Sequence, residues 1–61
     1  MKVLLVADDG ELLEEYNSED FLADAREDFP SDDEKEINDG ARECMMEYVT
    51  LAVNRIWKET T

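Results

Sequence analysis

Negative charge is concentrated in the first two thirds of this chain. Residues 1–40 carry fifteen Asp and Glu against three Lys and Arg, whereas residues 41–61 carry three of each. The whole net charge of −12 therefore belongs to the first 40 of the 61 residues. Because like charges at this density repel one another in a compact state, these carboxylates must lie on the surface of any fold. We expect a display region followed by a neutral scaffold region.

The chain has room for one thin core. A domain of about 60 residues buries only about 60% of the surface that its unfolded chain exposes. Hydrophobic residues make up 43% of the sequence, which is enough for a globular domain. The single cysteine excludes an internal disulfide, so apolar packing must supply the stability. We therefore predict one small acidic domain over residues 1–61.

The N-terminal segment is predicted to form a β-hairpin. Val3–Ala7 is a short run rich in branched apolar residues, which is typical of a buried strand, and it is followed by Asp9-Gly10. Asp-Gly favours a two-residue type I′ turn, because that turn needs positive φ at both central residues. Glu11–Tyr16 would be the return strand. The same segment contains good helix formers with its apolar residues on one face, so a helix there is the alternative.

A short helix should follow the hairpin. Asn17 or Ser18 can cap a helix that begins at Glu19, and Pro30 should stop it. Its apolar residues recur at helical spacing and are predicted to be buried: Phe21, Leu22, Ala25 and Phe29.

A long amphipathic helix is predicted from about Asp32 to Glu59. Ser31–Glu34 has the spacing of a capping box, in which a serine and a glutamate satisfy each other's free amides. Gly40 is the weak point, where a break or kink is an open alternative. The apolar residues at helical intervals are Ile37, Ala41, Cys44, Met45, Tyr48, Val49, Leu51, Ala52, Ile56 and Trp57. The predicted fold class is α+β, with an all-α fold as the alternative.

The sequence favours neither catalysis nor a designed metal site. There is no histidine, the commonest general base and metal ligand. An EF-hand loop with Gly40 at its sixth position would place Lys35 first and Ile37 third, which replaces two oxygen ligands. Cys44 lies among apolar neighbours, so we expect a buried structural thiol. The predictions are no enzyme activity, no cofactor and no metal.

Composition also limits the partners. No run approaches the length of a membrane span, and the apolar stretch after Lys2 is too short for a signal peptide, so we expect a cytoplasmic protein. A chain with a pI near 4.1 would be repelled by nucleic acid and by anionic membranes. The expected partner is a basic protein, and a nucleic-acid-binding protein fits best.

Two neighbouring rows of acids are the candidate partner-binding site. The predicted site residues are Asp20, Asp24, Glu27, Asp28, Asp32, Asp33, Glu34 and Glu36. In size and charge, though in no diagnostic motif, the chain resembles the DNA-mimicking inhibitors that phages use against restriction, CRISPR or repair enzymes. That resemblance implies a non-catalytic inhibitor that occupies a nucleic-acid-binding surface. The alternatives are an interaction subunit or antitoxin-like protein that binds through the apolar face of the C-terminal helix, and a structural homodimer through that helix.

Overall fold

The fold is a β-hairpin followed by two helices. A computed structural model describes all residues, 1–61, and contains β1 (Lys2–Val6), β2 (Leu12–Asn17), α1 (Ser18–Asp28) and α2 (Glu34–Thr60). The predicted α+β class is confirmed, and the all-α alternative is wrong. Residues 11 to 16, which could have been helical, belong mostly to β2.

The two strands pair antiparallel around a loop that differs from the predicted turn. The amide of Ala7 donates to the carbonyl of Glu11 (2.8 Å), and the amide of Gly10 donates to the carbonyl of Ala7 (2.9 Å). Because Ala7 pairs with Glu11, the connection is a loop of three residues. Only Gly10 among them has positive φ (91°), so the prediction of a type I′ turn is wrong. The Asp9 side chain accepts the Glu11 amide (3.0 Å), which satisfies that amide without a second left-handed residue.

The start and end of α1 follow the sequence signals. Asn17 is the N-cap, and its side chain accepts the Glu19 amide (3.0 Å). The helix ends at Asp28, since Phe29 leaves the helical region with φ −130° and Pro30 follows. Asn17 is also the last residue of β2, so the hairpin passes directly into the helix.

The N-cap of α2 is Asp33, so the predicted role of Ser31 as the cap is wrong. The Asp33 side chain accepts the Glu36 amide (2.9 Å). The Asp32 amide donates to the Phe29 carbonyl (3.1 Å), which keeps the residues after α1 in a turn and delays the helix start. From Glu34 the helix is continuous to Thr60 and passes through Gly40 without a break.

The short helix and the hairpin cover different halves of α2. Phe21 of α1 packs against Tyr48 with ring centroids 5.7 Å apart. Farther along α2, Arg55 forms an ion pair with Glu14 of β2. Four α2 residues are fully buried and form the core: Ile37, Ala41, Met45 and Ala52. The molecule is elongated, with extents of 43 × 19 × 15 Å.

Several apolar residues that the sequence predicts to be buried are exposed. The outward-facing residues of β1, Leu4 and Val6, are exposed because α2 covers only one face of the two-stranded sheet. Phe29 is exposed because it lies beyond the end of α1. On α2 the prediction of a buried Cys44 is wrong, and Tyr48, Leu51 and Trp57, which share its helical pattern, are exposed as well. Neither helix combines the length and the apolar character that crossing a membrane requires.

Candidate functional site

The outer face of α1 is a row of carboxylates. Asp20, Asp24 and Glu27 recur at intervals of four and three residues, so they lie above one another on one side of the helix. Asp28 lies beside them, and all four are exposed. The opposite side of α1 carries Phe21, Leu22 and Ala25, which are half-buried against α2. Packing of that apolar side therefore fixes the direction in which the acids point.

The acidic side chains of α1 have the linear charge density of one DNA strand. The helix carries five carboxylates in 11 residues. At a rise of 1.5 Å per residue it is about 16 Å long, which gives one carboxylate per about 3.3 Å, or one net negative charge per about 4 Å when Arg26 is included. One strand of duplex DNA carries one charge per about 3.4 Å of axis. A surface that binds a phosphate backbone therefore meets a similar density of charge along α1.

Four of the eight predicted site residues line a groove between α1 and α2. The groove has a volume of about 350 Å³, and its acids are Asp24, Asp28, Asp32 and Glu36. Its apolar lining is Phe21, Ala25, Phe29, Ile37, Gly40, Ala41, Cys44 and Tyr48. The turn between the helices brings the two rows of acids together, since it folds the start of α2 back beside α1. We call this feature the acidic groove.

The other four predicted site residues lie outside the acidic groove. Asp20 and Glu27 are on the exposed side of α1, and Asp33 and Glu34 are at the exposed start of α2. They extend the negative surface on either side of the groove.

Almost none of these carboxylates has a cationic partner within the chain. The four ion pairs are Lys2–Glu15, Arg26–Glu34, Lys35–Asp39 and Arg55–Glu14. Of the eight predicted site residues, only Glu34 takes part, through Arg26 at 3.1 Å. The charge of the other seven is therefore left to water, counterions or a partner.

Charges in the acidic groove and beside it perturb one another. Asp33 and Asp32 raise the pKa of the Glu36 carboxyl by their negative charge, with small contributions from partial desolvation and a hydrogen bond to Asp32. One turn along α2, the hydrogen bond and charge of Lys35 lower the pKa of Asp39. A cation brought in by a partner would relieve this repulsion at Glu36.

The aromatic walls of the acidic groove are a feature that the sequence analysis missed. Helical spacing predicts a buried Phe29 and a Tyr48 in the core or at an interface, and both are exposed at the groove. Their periodicity indicates that they share a face with buried residues, but it does not indicate where the covering element ends. Phe29 is uncovered because α1 ends at Asp28. Tyr48 packs against Phe21 of α1 on one side and is still 54% exposed.

The acidic groove suits a positively charged side chain. Carboxylates accept hydrogen bonds from a guanidinium in a fork geometry, and aromatic faces attract the same group. No group of three or more Asp, Glu or Cys side chains converges closely enough to hold a metal ion. Arginine side chains of a partner are therefore the ligands that this arrangement fits best.

No protein-family model, curated protein or solved structure matches this chain. What the chain does must therefore be inferred from its fold and its charges.

Proposed function

We propose that this chain is a non-catalytic inhibitor that occupies a basic, nucleic-acid-binding surface of a partner protein. The observation that carries the proposal is the uncompensated acidic surface, in which seven of the eight predicted site carboxylates have no cation within the chain. Burying these like charges in an interface costs free energy unless the partner supplies the opposite charges. A nucleic-acid-binding site supplies them because Lys and Arg line it.

The spacing of the charges supports mimicry of DNA, as opposed to an acidic surface that does not imitate DNA. The carboxylates of α1 match one phosphate strand in linear density, and the acids at the start of α2 form a second row beside them. Such an arrangement presents negative charge along two neighbouring lines, as the two backbones of a duplex do. Phages use inhibitors of this physical type against restriction, CRISPR or repair enzymes. We therefore propose that this protein is such an inhibitor and that it acts in the cytoplasm.

The acidic groove supplies what a phosphate backbone lacks. Between its carboxylates the floor is apolar, with Ile37 and Ala41 beneath and Phe29 and Tyr48 at the sides. An arginine of the partner can pair with Asp24 or Glu36 while its stem packs on this floor. The complex then gains apolar contact in addition to charge, which would let the inhibitor compete with nucleic acid for the same surface.

Neutralising the α1 acids tests the proposal. The variant Asp24→Asn, Glu27→Gln, Asp28→Asn should retain the helical circular dichroism spectrum and lose capture of partner proteins from a host lysate. The matched control, Asp8→Asn, Glu11→Gln, Glu43→Gln, removes the same charge from exposed positions elsewhere and should capture normally. Proteins captured by the wild type should be released by duplex DNA and by raising the salt from 0.1 to 0.5 M, since their binding is largely electrostatic.

Two outcomes would contradict this function. If the α1 variant captures the same proteins as the wild type, the acidic face of α1 is not the contact surface. If captured proteins resist an excess of duplex DNA, the chain does not occupy a nucleic-acid-binding site.

A masking subunit that binds mainly by apolar contact is a second candidate, and the exposure of Tyr48 and Leu51 favours it. Both lie on α2 beside the acidic groove and continue its apolar wall. Of the other apolar residues at the end of α2, Ile56 is half-buried and Trp57 lies on another side of the helix. Under this alternative, Leu51→Ala would weaken partner binding more than the α1 acid variant does, and salt would have little effect.

A further inference from the structure

A single copy of this chain exposes more surface than a compact protein of its mass. A folded monomer of 7.1 kDa exposes about 4,100 Å², whereas this chain exposes 4994 Å². The radius of gyration is 13.8 Å, against about 10.5 Å for a compact domain of this length. The excess of about 900 Å² is close to the roughly 800 Å² that each partner buries in a standard protein interface.

The unpaired edge of β1 contributes to this excess of exposed surface. Met1 and Val3 lie in hydrogen-bonded pairs with β2, since the Ser18 amide donates to the Met1 carbonyl (2.9 Å) and such pairs alternate along the strands. The peptide groups of Lys2, Leu4 and Val6 therefore face outward with no strand beside them. Such an edge, made of apolar residues, is a template for pairing with another strand.

The acids of the hairpin are on the other strand. The only ionisable side chain in β1 is that of Lys2, whereas β2 contains Glu14 and Glu15. A second hairpin can approach the edge of β1 without bringing carboxylates face to face. Pairing of β2 with its own copy would place glutamates opposite glutamates, which is destabilising.

An uncovered apolar stripe on α2 lies on the same side of the molecule as the edge of β1. Met46, Val49, Val53 and Trp57 recur at intervals of three and four residues, so they share one face. Trp57 is 68% exposed and Val53 is 41% exposed. Met46 and Val49 line a shallow cavity together with Val3 of β1, which places the stripe beside the free edge.

We propose that a second copy of this chain covers both features at once. The two β1 strands pair antiparallel, centred near Leu4, and the hairpins become one four-stranded sheet. The two α2 helices then lie side by side on one face of that sheet and pack through the Met46–Trp57 stripe. The dimensions agree, because a sheet of four strands is about 19 Å wide and packed helices are about 8–10 Å apart, so one face of the sheet holds both helices.

Helix direction and charge support this arrangement. β1 runs parallel to α2, since Met1 lies beside Arg42 and Val6 lies near Ile56. A two-fold axis that makes the strands antiparallel therefore makes the helices antiparallel as well. The overlapping halves of α2 then come from residues 41–61, which carry no net charge, and the acidic grooves point to opposite ends. The dimer leaves both grooves open, so it does not depend on the function proposed above.

Two charge insertions on α2 test the dimer. Val53→Glu places a carboxylate in the proposed interface and should weaken self-association at least 100-fold. Leu51→Glu, the matched control, adds the same charge at an exposed apolar position on the other side of the helix and should leave the dimer intact. Sedimentation equilibrium measures the mass, with two chains of 7.1 kDa expected for wild type. The emission of the single tryptophan, Trp57, should shift to shorter wavelength as the chain dimerises.

Proline at the two sheet edges gives a second measurement. Leu4→Pro removes an outward-facing amide from the edge of β1 and should abolish the dimer, whereas Glu15→Pro does the same at the edge of β2 and should not. A wild-type chain that stays monomeric at 100 μM, or a dimer lost through Leu51→Glu and kept in Val53→Glu, overturns the proposal. Salt separates this result from the proposed inhibition, because screening should strengthen the dimer of two acidic chains and weaken binding to a basic partner.

Discussion

At the scale of single residues, Asp33 combines two physical effects that usually belong to different side chains. Its carboxylate accepts the Glu36 amide at the start of α2 (2.9 Å), which stabilises the helix. Its charge also raises the pKa of Glu36. The cap and the repulsion have different chemical requirements, since a neutral asparagine caps a helix about as well as an aspartate.

Asp33→Asn should therefore separate the two effects. We expect the pKa of Glu36 to fall toward its ordinary value, because the largest cause of its elevation is removed, while helix content stays unchanged. NMR titration of the side-chain carboxyls measures both Glu36 and Asp39 in one experiment. The pKa of Asp39 should stay low, since Lys35 and not Asp33 determines it. A Glu36 pKa that does not move in Asp33→Asn would show that charge repulsion from Asp33 is not its cause.

These two carboxyls affect folding in opposite directions as the pH changes. Because the pKa of Glu36 is raised in the folded state, its protonation favours folding as the pH falls through that folded value. Because the pKa of Asp39 is lowered, its stabilising contribution is present above its unfolded pKa and is lost as the pH falls through its folded pKa. Glu36 is exposed and Asp39 is partly exposed, so each effect is small beside that of the whole acidic surface.

At the scale of secondary structure, local sequence signals determined where most elements form. The Asp9-Gly10 pair, the Asn17 cap and the Pro30 stop each act through neighbouring backbone groups, so they could be predicted without knowing the fold. The cap of α2 was wrong because Ser31 and Asp33 are both good caps, and the turn after Phe29 decides between them. Periodicity shows which residues share a face, but it does not reveal how far a neighbouring element covers them.

The acidic groove was predictable only in part for the same reason. The eight acids were found from their charge and spacing, and their exposure follows from repulsion. That four of them line one groove with Phe29 and Tyr48 depends on how the turn folds α2 back onto α1. The prediction of a buried Cys44 failed because its side chain lies at the open groove beside α1 and not beneath that helix.

Substitution of the two glycines should change stability in opposite directions. Gly40 lies inside α2 with open space where a Cβ would be, so Gly40→Ala should raise the free energy of unfolding by about 1 kcal/mol. Gly10 also has open space, but its φ is +91°, so Gly10→Ala should lower the free energy of unfolding by more than about 1 kcal/mol. Urea denaturation followed by circular dichroism measures both. A destabilised Gly40→Ala variant would mean that α2 is not a regular helix there.

At the scale of the whole molecule, the acidic groove and the uncovered apolar stripe lie in different parts of the long axis. The carboxylates of α1 and the start of α2 lie toward one end, whereas β1 and the Met46–Trp57 stripe lie toward the other. A small elongated chain can therefore present one surface to a basic partner and another to its own copy. Only four residues are fully buried, so the margin of stability that opposes charge repulsion must be narrow.

Repulsion among the acids should make salt a stabiliser of this fold. Two carboxylates about 6 Å apart repel by about 0.7 kcal/mol in water at low salt, and side chains three or four residues apart on one helix face are separated by about that distance. The four exposed ion pairs oppose this trend, but pairs of that kind contribute at most about 1 kcal/mol each and usually less. We therefore expect the free energy of unfolding to rise by on the order of 1 to 3 kcal/mol between 0.01 and 1 M NaCl, as the screening length falls from about 30 to 3 Å.

The Val53→Glu variant is the appropriate background for this measurement, because it keeps self-association from adding its own salt dependence. Combining it with Asp24→Asn, Glu27→Gln and Asp28→Asn should flatten the salt response and raise stability at low salt, since the repulsion along α1 is then absent. The combined variant with Asp8→Asn, Glu11→Gln and Glu43→Gln removes an equal charge from scattered positions and should keep most of the response. If stability instead falls as salt is added, the ion pairs outweigh the repulsion and the acidic surface is not the dominant electrostatic feature of the folded chain.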